Sequence, residues 1–342
     1  MSKVIYYVPV DEVYTSEWEY YSADQQMLEE SGFDVIVVTG LFGLLRNLFN
    51  VEFVYCWWWG RSLIPILLCR FFSVPVYVTG AEHMFDLSGS GSFIDRKIYQ
   101  RIGLYLSFRL SNLNLFISKH QKLSIVSMLK GVKGVVLYPS LTTSFLNPSL
   151  LLPYEIRKNT ILCFCWMTHR SFVRKGIYDA LKGFRIFLNS QEHPSNFELV
   201  VAGRRGDGLQ FLYSLIEELE LTEFVSVILD PNQSEKQSLF GSSICLLAPS
   251  YMEGFGNASL EAMSYATPVI CSPEGASREV VSNTGLIMTD VGVSAVAEAL
   301  GIFFNLPLQQ RALMSNSASD RSNSFFSLAE RVRCFKQMLE KR

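Results

Sequence analysis

The sequence predicts an α/β chain built from two Rossmann-like, doubly wound parallel-sheet domains with a cleft between them. Three observations carry this. The 342 residues amount to about two domains at roughly 150 residues each, and 49% of them are hydrophobic, enough for two real cores. Short β-rich runs alternate with helical patterns from end to end, the pattern of parallel strands joined by crossover helices. The alternation is interrupted at Leu141–Asn159, where Pro148, Pro153 and a cluster of Ser, Thr and Asn without periodicity read as a connector. The expected organisation is residues 1–150, residues 151–318, and a C-terminal helix, 319–342, crossing back to the first domain.

In the first half, strands are expected at Val4–Val8, Asp34–Val38, Val51–Cys56, Pro75–Thr79, Leu113–Ser118 and Val135–Tyr138, each a short apolar, β-branched or aromatic run. Helices fall between them near Ser16–Ser31, Arg61–Phe72, Ser92–Leu110 and His120–Lys130. After the connector, strands are expected at Thr160–Trp166, Glu198–Ala202, Val225–Leu229, Ile244–Ala248, Pro268–Cys271 and Gly285–Met288. Their helices lie near Ile177–Asn189, Leu209–Leu219, Ser234–Leu239, Asn257–Tyr265 and Ser294–Phe304. Phe325, Leu328, Val332, Phe335 and Leu339 line one side of a final amphipathic helix over Ser322–Arg342.

Composition excludes several functions. With 30 Lys+Arg against 32 Asp+Glu and a pI near 6.1, binding nucleic acid through bulk charge is not expected. The mean hydropathy of +0.20 raises the membrane question. However, the most apolar stretch, Leu63–Val78, is broken by Pro65, Arg70 and Pro75, short of the roughly 20 uninterrupted residues a span needs. The N-terminus enters a strand pattern without the zones of a signal peptide, so a cytoplasmic chain is expected, with peripheral contact on the membrane's cytoplasmic face as an addition. The seven cysteines are scattered in apolar runs and read as reduced core residues. Cys163 and Cys165 share a strand face with no partner set for zinc, and no metal is expected.

The richest chemistry lies in Pro249-Ser-Tyr-Met-Glu253-Gly-Phe-Gly256-Asn-Ala-Ser-Leu-Glu261, between a strand and a helix. Such a turn aims backbone N–H groups and the positive end of a helix dipole at one point, which suits a diphosphate. Gly254 and Gly256 permit close approach, and Asn257 is the expected N-cap. Glu253 and Glu261 cannot serve a phosphate, so sugar hydroxyls are their natural partners. For Glu261 alone, the plainer reading is a helix-end carboxylate gaining about 0.3–1 kcal/mol from the dipole.

This stretch resembles the Glu-x7-Glu signature of the retaining glycosyltransferases of the GT-B fold, family 4 (glycosyl transferases group 1). Glu253 and Glu261 have the spacing, Gly254-Phe255-Gly256 fills the loop, and Thr267-Pro268-Val269-Ile270 and Arg278-Glu279-Val280 continue the pattern. The resemblance implies that Glu253 contacts the transferred sugar, that the amides of Gly254, Phe255, Gly256 and Asn257 meet the diphosphate, and that Glu261 holds the ribose. It further implies a phosphate-binding Lys at Lys175, in Arg174-Lys175-Gly176, read as a loop. Arg170 stands near the place of the family's partner Arg. Gly203, in Gly203-Arg-Arg-Gly-Asp-Gly208, matches its Gly-x-Gly turn toward the nucleotide. His83, after the fourth strand, matches a His near the sugar's reacting face, with Glu82 and Asp86 beside it.

The family's Gly-Gly loop after the first strand is absent, its place taken by Pro9–Glu17. Trp57-Trp58-Trp59 at the end of the third strand could stack on an acceptor sugar or wedge elements together. Ile94–Arg109 carries Arg96, Lys97, Arg101 and Arg109 against Asp95, which suits either anionic lipid or an ordinary solvated face.

The expected activity is thus metal-independent transfer of a sugar from a nucleoside diphosphate sugar, UDP- or GDP-linked, to a saccharide or lipid-linked saccharide in surface polysaccharide or glycoconjugate synthesis. No cofactor beyond that substrate is expected. A nucleotide-sugar 2-epimerase and a non-catalytic transferase-like subunit are the alternatives.

Overall fold

The computed structural model describes residues 1–11, 15, 18–82, 93 and 95–341. The chain forms two compact units, residues 1–145 with 326–342 and residues 146–325. In the first, β1 (Ser2–Tyr7), α1 (Glu19–Glu30), β2 (Phe33–Val38), α2 (Leu41–Asn47), β3 (Val54–Trp57), α3 (Trp59–Phe71), β4 (Val76–Gly80), α4 (Ile98–Leu110), β5 (Leu113–Phe116), α5 (Lys119–Met128) and β6 (Val135–Val136) alternate. The strands form a parallel sheet in the order β2-β1-β3-β4-β5-β6, with Ile5 registered between Ile36 and Val54.

Because strand side chains alternate in direction, the sheet has two apolar faces. Ile5 and Tyr7 pack with Leu44 of α2, Ile66 of α3, Phe108 of α4 and Ile125 of α5. Val4 and Tyr6 pack the opposite way, against Tyr21 and Met27 of α1.

The second unit runs β7 (Asn159–Phe164), α6 (His169–Lys175), α7 (Ile177–Asn189), β8 (Phe197–Gly203), α8 (Leu209–Glu218), β9 (Val225–Leu229), α9 (Gln233–Ser242) and β10 (Cys245–Ala248). It continues with α10 (Asn257–Ser264), β11 (Val269–Cys271), α11 (Ser277–Val281), β12 (Leu286–Ile287), α12 (Val293–Asn305) and α13 (Leu308–Phe325). Its parallel sheet has the order β12-β11-β10-β7-β8-β9. The chain winds outward from β7 through β8 and β9, then returns to place β10 on the other side of β7. The topological switch point therefore lies between β7 and β10, and crevices at such points are where open α/β sheets bind ligands. Two Rossmann-like parallel sheets are thus present, and all twelve expected strands have a counterpart.

Four helices were not expected: α2, α6, α11 and α13. The C-terminal pattern also divides where one helix was expected. α13 ends at Phe325, and α14 (Leu328–Glu340) starts afresh, with Ser327 Oγ accepting from the Glu330 N–H at 3.2 Å. Phe325 thereby leaves the stripe and lies under the Arg321 guanidinium, 4.9 Å from its ring centre. Leu328, Val332 and Phe335 of α14 are buried in the core shared with α1, each worth about 1.5–3 kcal/mol when fully covered.

The cysteines are free thiols, and all but Cys334 are buried. Among the described residues, no helix is long and apolar enough to cross a membrane.

Candidate functional site

The site is built from the two strands that flank the switch point. β7 is followed by the short helix α6, opened by Thr168 Oγ1 accepting from the Ser171 N–H at 3.1 Å and closed by Gly176 in the left-handed region. Lys175 is thus the last residue of a helix, and the loop expected around it is corrected by this Thr cap and Gly stop, a pair of local signals strong enough to fold seven residues.

β10 leads into the loop Pro249–Gly256, which is stitched to α6 twice. Tyr251 N–H donates to the Arg174 carbonyl at 2.9 Å, and the Arg174 guanidinium donates to the Met252 carbonyl at 3.2 Å. These bonds bring Lys175 to Glu253. Their side chains form an ion pair, 19% and 14% exposed respectively, and Ser250 Oγ lies 3.4 Å from the same carboxylate.

Both residues line one cavity with Phe164 at the end of β7, Ala248 at the end of β10, and Ser250, Gly256, Ser259 and Ser277. Gly256 caps α10 with φ of +105°, and its carbonyl accepts from the Leu260 N–H at 3.0 Å. Asn257 is therefore the first helical residue, exposed to solvent, which corrects the expected N-cap: the capping residue has a positive φ, which glycine adopts at no steric cost. Gly254 is buried, as is the Phe255 side chain, so Phe255 offers a ligand only its backbone.

A second pair stands beyond the first. Glu261, one turn into α10 and 5% exposed, accepts from Lys236 Nζ of α9 at 2.7 Å. That ammonium also lies 5.5 Å from the centre of the Phe164 ring, so Phe164 belongs to both the cavity and the second pair. Each carboxylate of the Glu-x7-Glu motif thus has its own lysine, from α6 and α9 respectively. Lys236 escaped the sequence reading because nothing in Ser234–Leu239 distinguishes it from a solvated helix lysine.

Gly275 also went unremarked. With φ of +65°, any Cβ there would lie 2.4 Å from the Glu253 carbonyl, and the next amide, Ala276 N–H, donates to that carbonyl at 2.8 Å. This close approach fixes the backbone of Glu253 and requires glycine.

Other expected site residues sit apart. Arg170 is exposed in the first turn of α6 and does not line the cavity. Gly203 ends β8 with φ of +144°, where a Cβ would stand 1.9 Å from the Cys165 carbonyl, so it lets the segments following β7 and β8 pack together. Burial pushes the Cys165 thiol up to about 12 and the Cys163 thiol well above its usual range.

In the first unit, His83 and Asp86 lie outside the described residues, as do parts of Pro9–Glu17 and Ser92–Ile94. Glu82 is buried and ion-paired with Arg96. Trp59 is wholly buried against Phe108, with its ring N–H donating to Asn114 at 2.7 Å, and Trp57 donates to Asp24 at 2.7 Å. These two wedge elements together. Trp58 is half-buried at φ of +71°, its ring N–H donating to the Tyr21 hydroxyl at 2.7 Å.

Residues 159–321, which contain the whole cavity, match the family model described as glycosyl transferases group 1. The O-antigen chain mannosyltransferase RfbU of Salmonella typhimurium is 28% identical over 57% of this chain and 51% of its own length. The capsular polysaccharide biosynthesis glycosyltransferase CapM of Staphylococcus aureus is 28% identical over 45% of this chain and 40% of its own. The matches thus span about half, or less, of these curated relatives.

Among solved structures, sucrose-phosphate synthase from Thermosynechococcus elongatus superposes with a TM-score of 0.79 at 15% identity, covering 99% of this chain and 98% of that one. Anabaena Alr3699/HepE, in complex with UDP and glucose, gives 0.75 at 13% identity over 100% of both chains. Likeness at this identity speaks for the fold, two Rossmann-like domains of the GT-B class. The segment that matches glycosyl transferases group 1 thus lies within the second unit of a chain with that fold.

Proposed function

We propose that the protein is a retaining glycosyltransferase that moves a sugar from a UDP- or GDP-linked donor to a saccharide or lipid-linked saccharide acceptor in surface polysaccharide or glycoconjugate synthesis. The observation that carries this reading is the Lys175–Glu253 pair on one cavity wall at the sheet's switch point, with the Lys236–Glu261 pair behind it. A diphosphate entering beside the start of α10 competes with Glu253 for Lys175. A flexible ammonium with three donors can turn to the phosphate oxygens, leaving Glu253 to accept from sugar hydroxyls. Lys175, the backbone amides around Gly256 and the N-terminus of α10 then oppose the charge that grows on the departing diphosphate, the kind of fixed electrostatics that contributes most to transfer. Glu261, oriented by Lys236, accepts from the ribose hydroxyls. His83, outside the described residues, is a candidate for the sugar's reacting face on the family resemblance alone. No metal has a part in this scheme.

The names of the relatives support the pathway class: RfbU and CapM are named for O-antigen and capsular polysaccharide assembly, and HepE is solved with UDP and glucose. The test combines a thermal-shift panel with variants. A cognate nucleoside diphosphate raises the melting temperature by mass action. Glu253→Gln keeps that shift and loses transfer by about a hundredfold or more, while Glu261→Ala chiefly weakens the nucleotide shift. No shift with either UDP or GDP, together with no nucleotide release in the presence of any saccharide acceptor, overturns the reading. Conversion of the donor sugar without an acceptor points to an epimerase instead.

A further inference from the structure

We infer that the outer face of the helical layer α2–α5 is a docking surface for an anionic lipid bilayer. These four helices cover one side of the first unit's sheet, since each buries side chains in the same apolar cluster, so their remaining sides form one continuous exterior. That exterior is unusually apolar. More than half of the exposed large hydrophobic side chains among the described residues lie on or just after these helices, including Phe42 at 80%, Phe71 at 82%, Ile98 at 70% and Leu123 at 70% exposed. Single exposed apolar residues need no explanation, but a contiguous field of them marks an interaction site.

The charges identify the occupant. α2 contributes Arg46, α3 Arg61 and Arg70, α4 Arg101 and Arg109, and α5 Lys119 and Lys122, and the four helices contain no Asp or Glu. The chain as a whole is balanced at 30 basic to 32 acidic residues, so this segregation is local. The helices on the opposite side of the sheet carry both signs, α1 with Glu19, Asp24, Glu29 and Glu30 and α14 with Arg331, Arg333 and Lys336 beside Glu330 and Glu340.

Cations flanking aromatic and aliphatic side chains are the combination that partitions into a headgroup layer, where apolar groups enter the acyl boundary and Lys/Arg meet acidic lipids. A second copy of the chain fits poorly: a symmetric interface would set one acid-free cationic face against another. None of the four helices is long and apolar enough to cross the bilayer, so the contact is with its surface.

Flotation of the full chain with vesicles tests this. Binding is expected to vesicles of phosphatidylcholine mixed with phosphatidylglycerol and not to phosphatidylcholine alone, and to weaken as salt is raised. Arg46→Ser with Lys122→Ser removes two cations and lowers partition about 30-fold; Phe42→Ser with Phe71→Ser abolishes it. All four positions are at least partly exposed, and an unchanged melting curve establishes that the variants are folded. Absence of vesicle binding at low salt, equal binding to neutral vesicles, or dimerisation that the Phe variants abolish while vesicles stay unbound each overturns the inference. The readout is independent of whether the protein transfers sugar.

Discussion

Each unit holds ion pairs close to its core, and they are of two kinds. In the first unit, Asp24 of α1 meets Arg331 of α14 with side chains 0% and 3% exposed. Asp24 also accepts from the Trp57 ring N–H at 2.7 Å and the Tyr55 hydroxyl at 3.1 Å. Burial pushes the Asp24 carboxyl up, while Arg331, Trp57 and Tyr55 pull it down. In the second unit, Lys175–Glu253 and Lys236–Glu261 keep their lysines 19% and 18% exposed. A sealed arginine with a fixed planar fork has nowhere to go, whereas a lysine beside a cavity can exchange its carboxylate for an incoming anion. The first arrangement fastens a helix. The second is ready to be taken apart by a ligand.

The largest effect that separates them is on stability. Arg331→Met leaves a buried carboxylate without its cation and is expected to cost about 3–5 kcal/mol in the first unit's unfolding. Urea titration followed by tryptophan fluorescence reads this cleanly, since Trp18, Trp57, Trp58 and Trp59 lie in that unit and Trp166 in the other. Asp24→Leu with Arg331→Met should recover part of the loss, limited by the donors of Tyr55 and Trp57 left without an acceptor. A single variant as stable as the parent would mean that the pair does not hold α14 in place.

Lys236→Met comes next and should act on binding. It removes one charge-assisted bond from Glu261, worth about 1.5–3 kcal/mol, or roughly 10- to 100-fold in the dissociation constant of whichever nucleotide binds. Calorimetry measures this directly. An unaltered affinity would detach the Lys236–Glu261 pair from the donor site and leave it as a helix-to-helix fastener like Asp24–Arg331.

The contrast also explains what could be read in advance. Strands such as Cys245–Ala248 announce themselves because a central parallel strand is covered on both faces and is apolar throughout. α13 gave no such signal, since Leu308–Phe325 carries Gln, Ser, Asn and Asp around most of its circumference and no stripe marks its buried side. Glu253 and Gly256 were legible because a glycine turn between strand and helix is a local pattern, whereas Lys175 was singled out only by the family resemblance. Lys236 and Gly275 were not, because their significance lies in partners 25 and 22 residues away in sequence, which only the winding of β9, β10 and β11 brings together. The fully buried Asp24–Arg331 pair joins residues from opposite ends of the chain and was equally invisible.

The smallest predicted effect sharpens the account of Glu253. The neighbours of its carboxylate include Lys175 in an ion pair and Ser250 Oγ at a long 3.4 Å. Ser250 is 1% exposed, and its carbonyl accepts from Ser272 Oγ at 2.5 Å, so its backbone is held independently of its hydroxyl. If Lys175 sets the position of Glu253 and Ser250 only steadies it, Ser250→Ala should lower kcat/KM by no more than about fivefold, near 1 kcal/mol, with KM for the donor almost unchanged. The same substitution should leave the melting temperature within a few degrees of the parent. Loss of activity on the scale of Glu253→Gln would instead place the Ser250 hydroxyl on the substrate itself. Glu253 would then need another explanation for its position, and the pairing of Lys175 with Glu253 would no longer be the feature that prepares the cavity for a diphosphate.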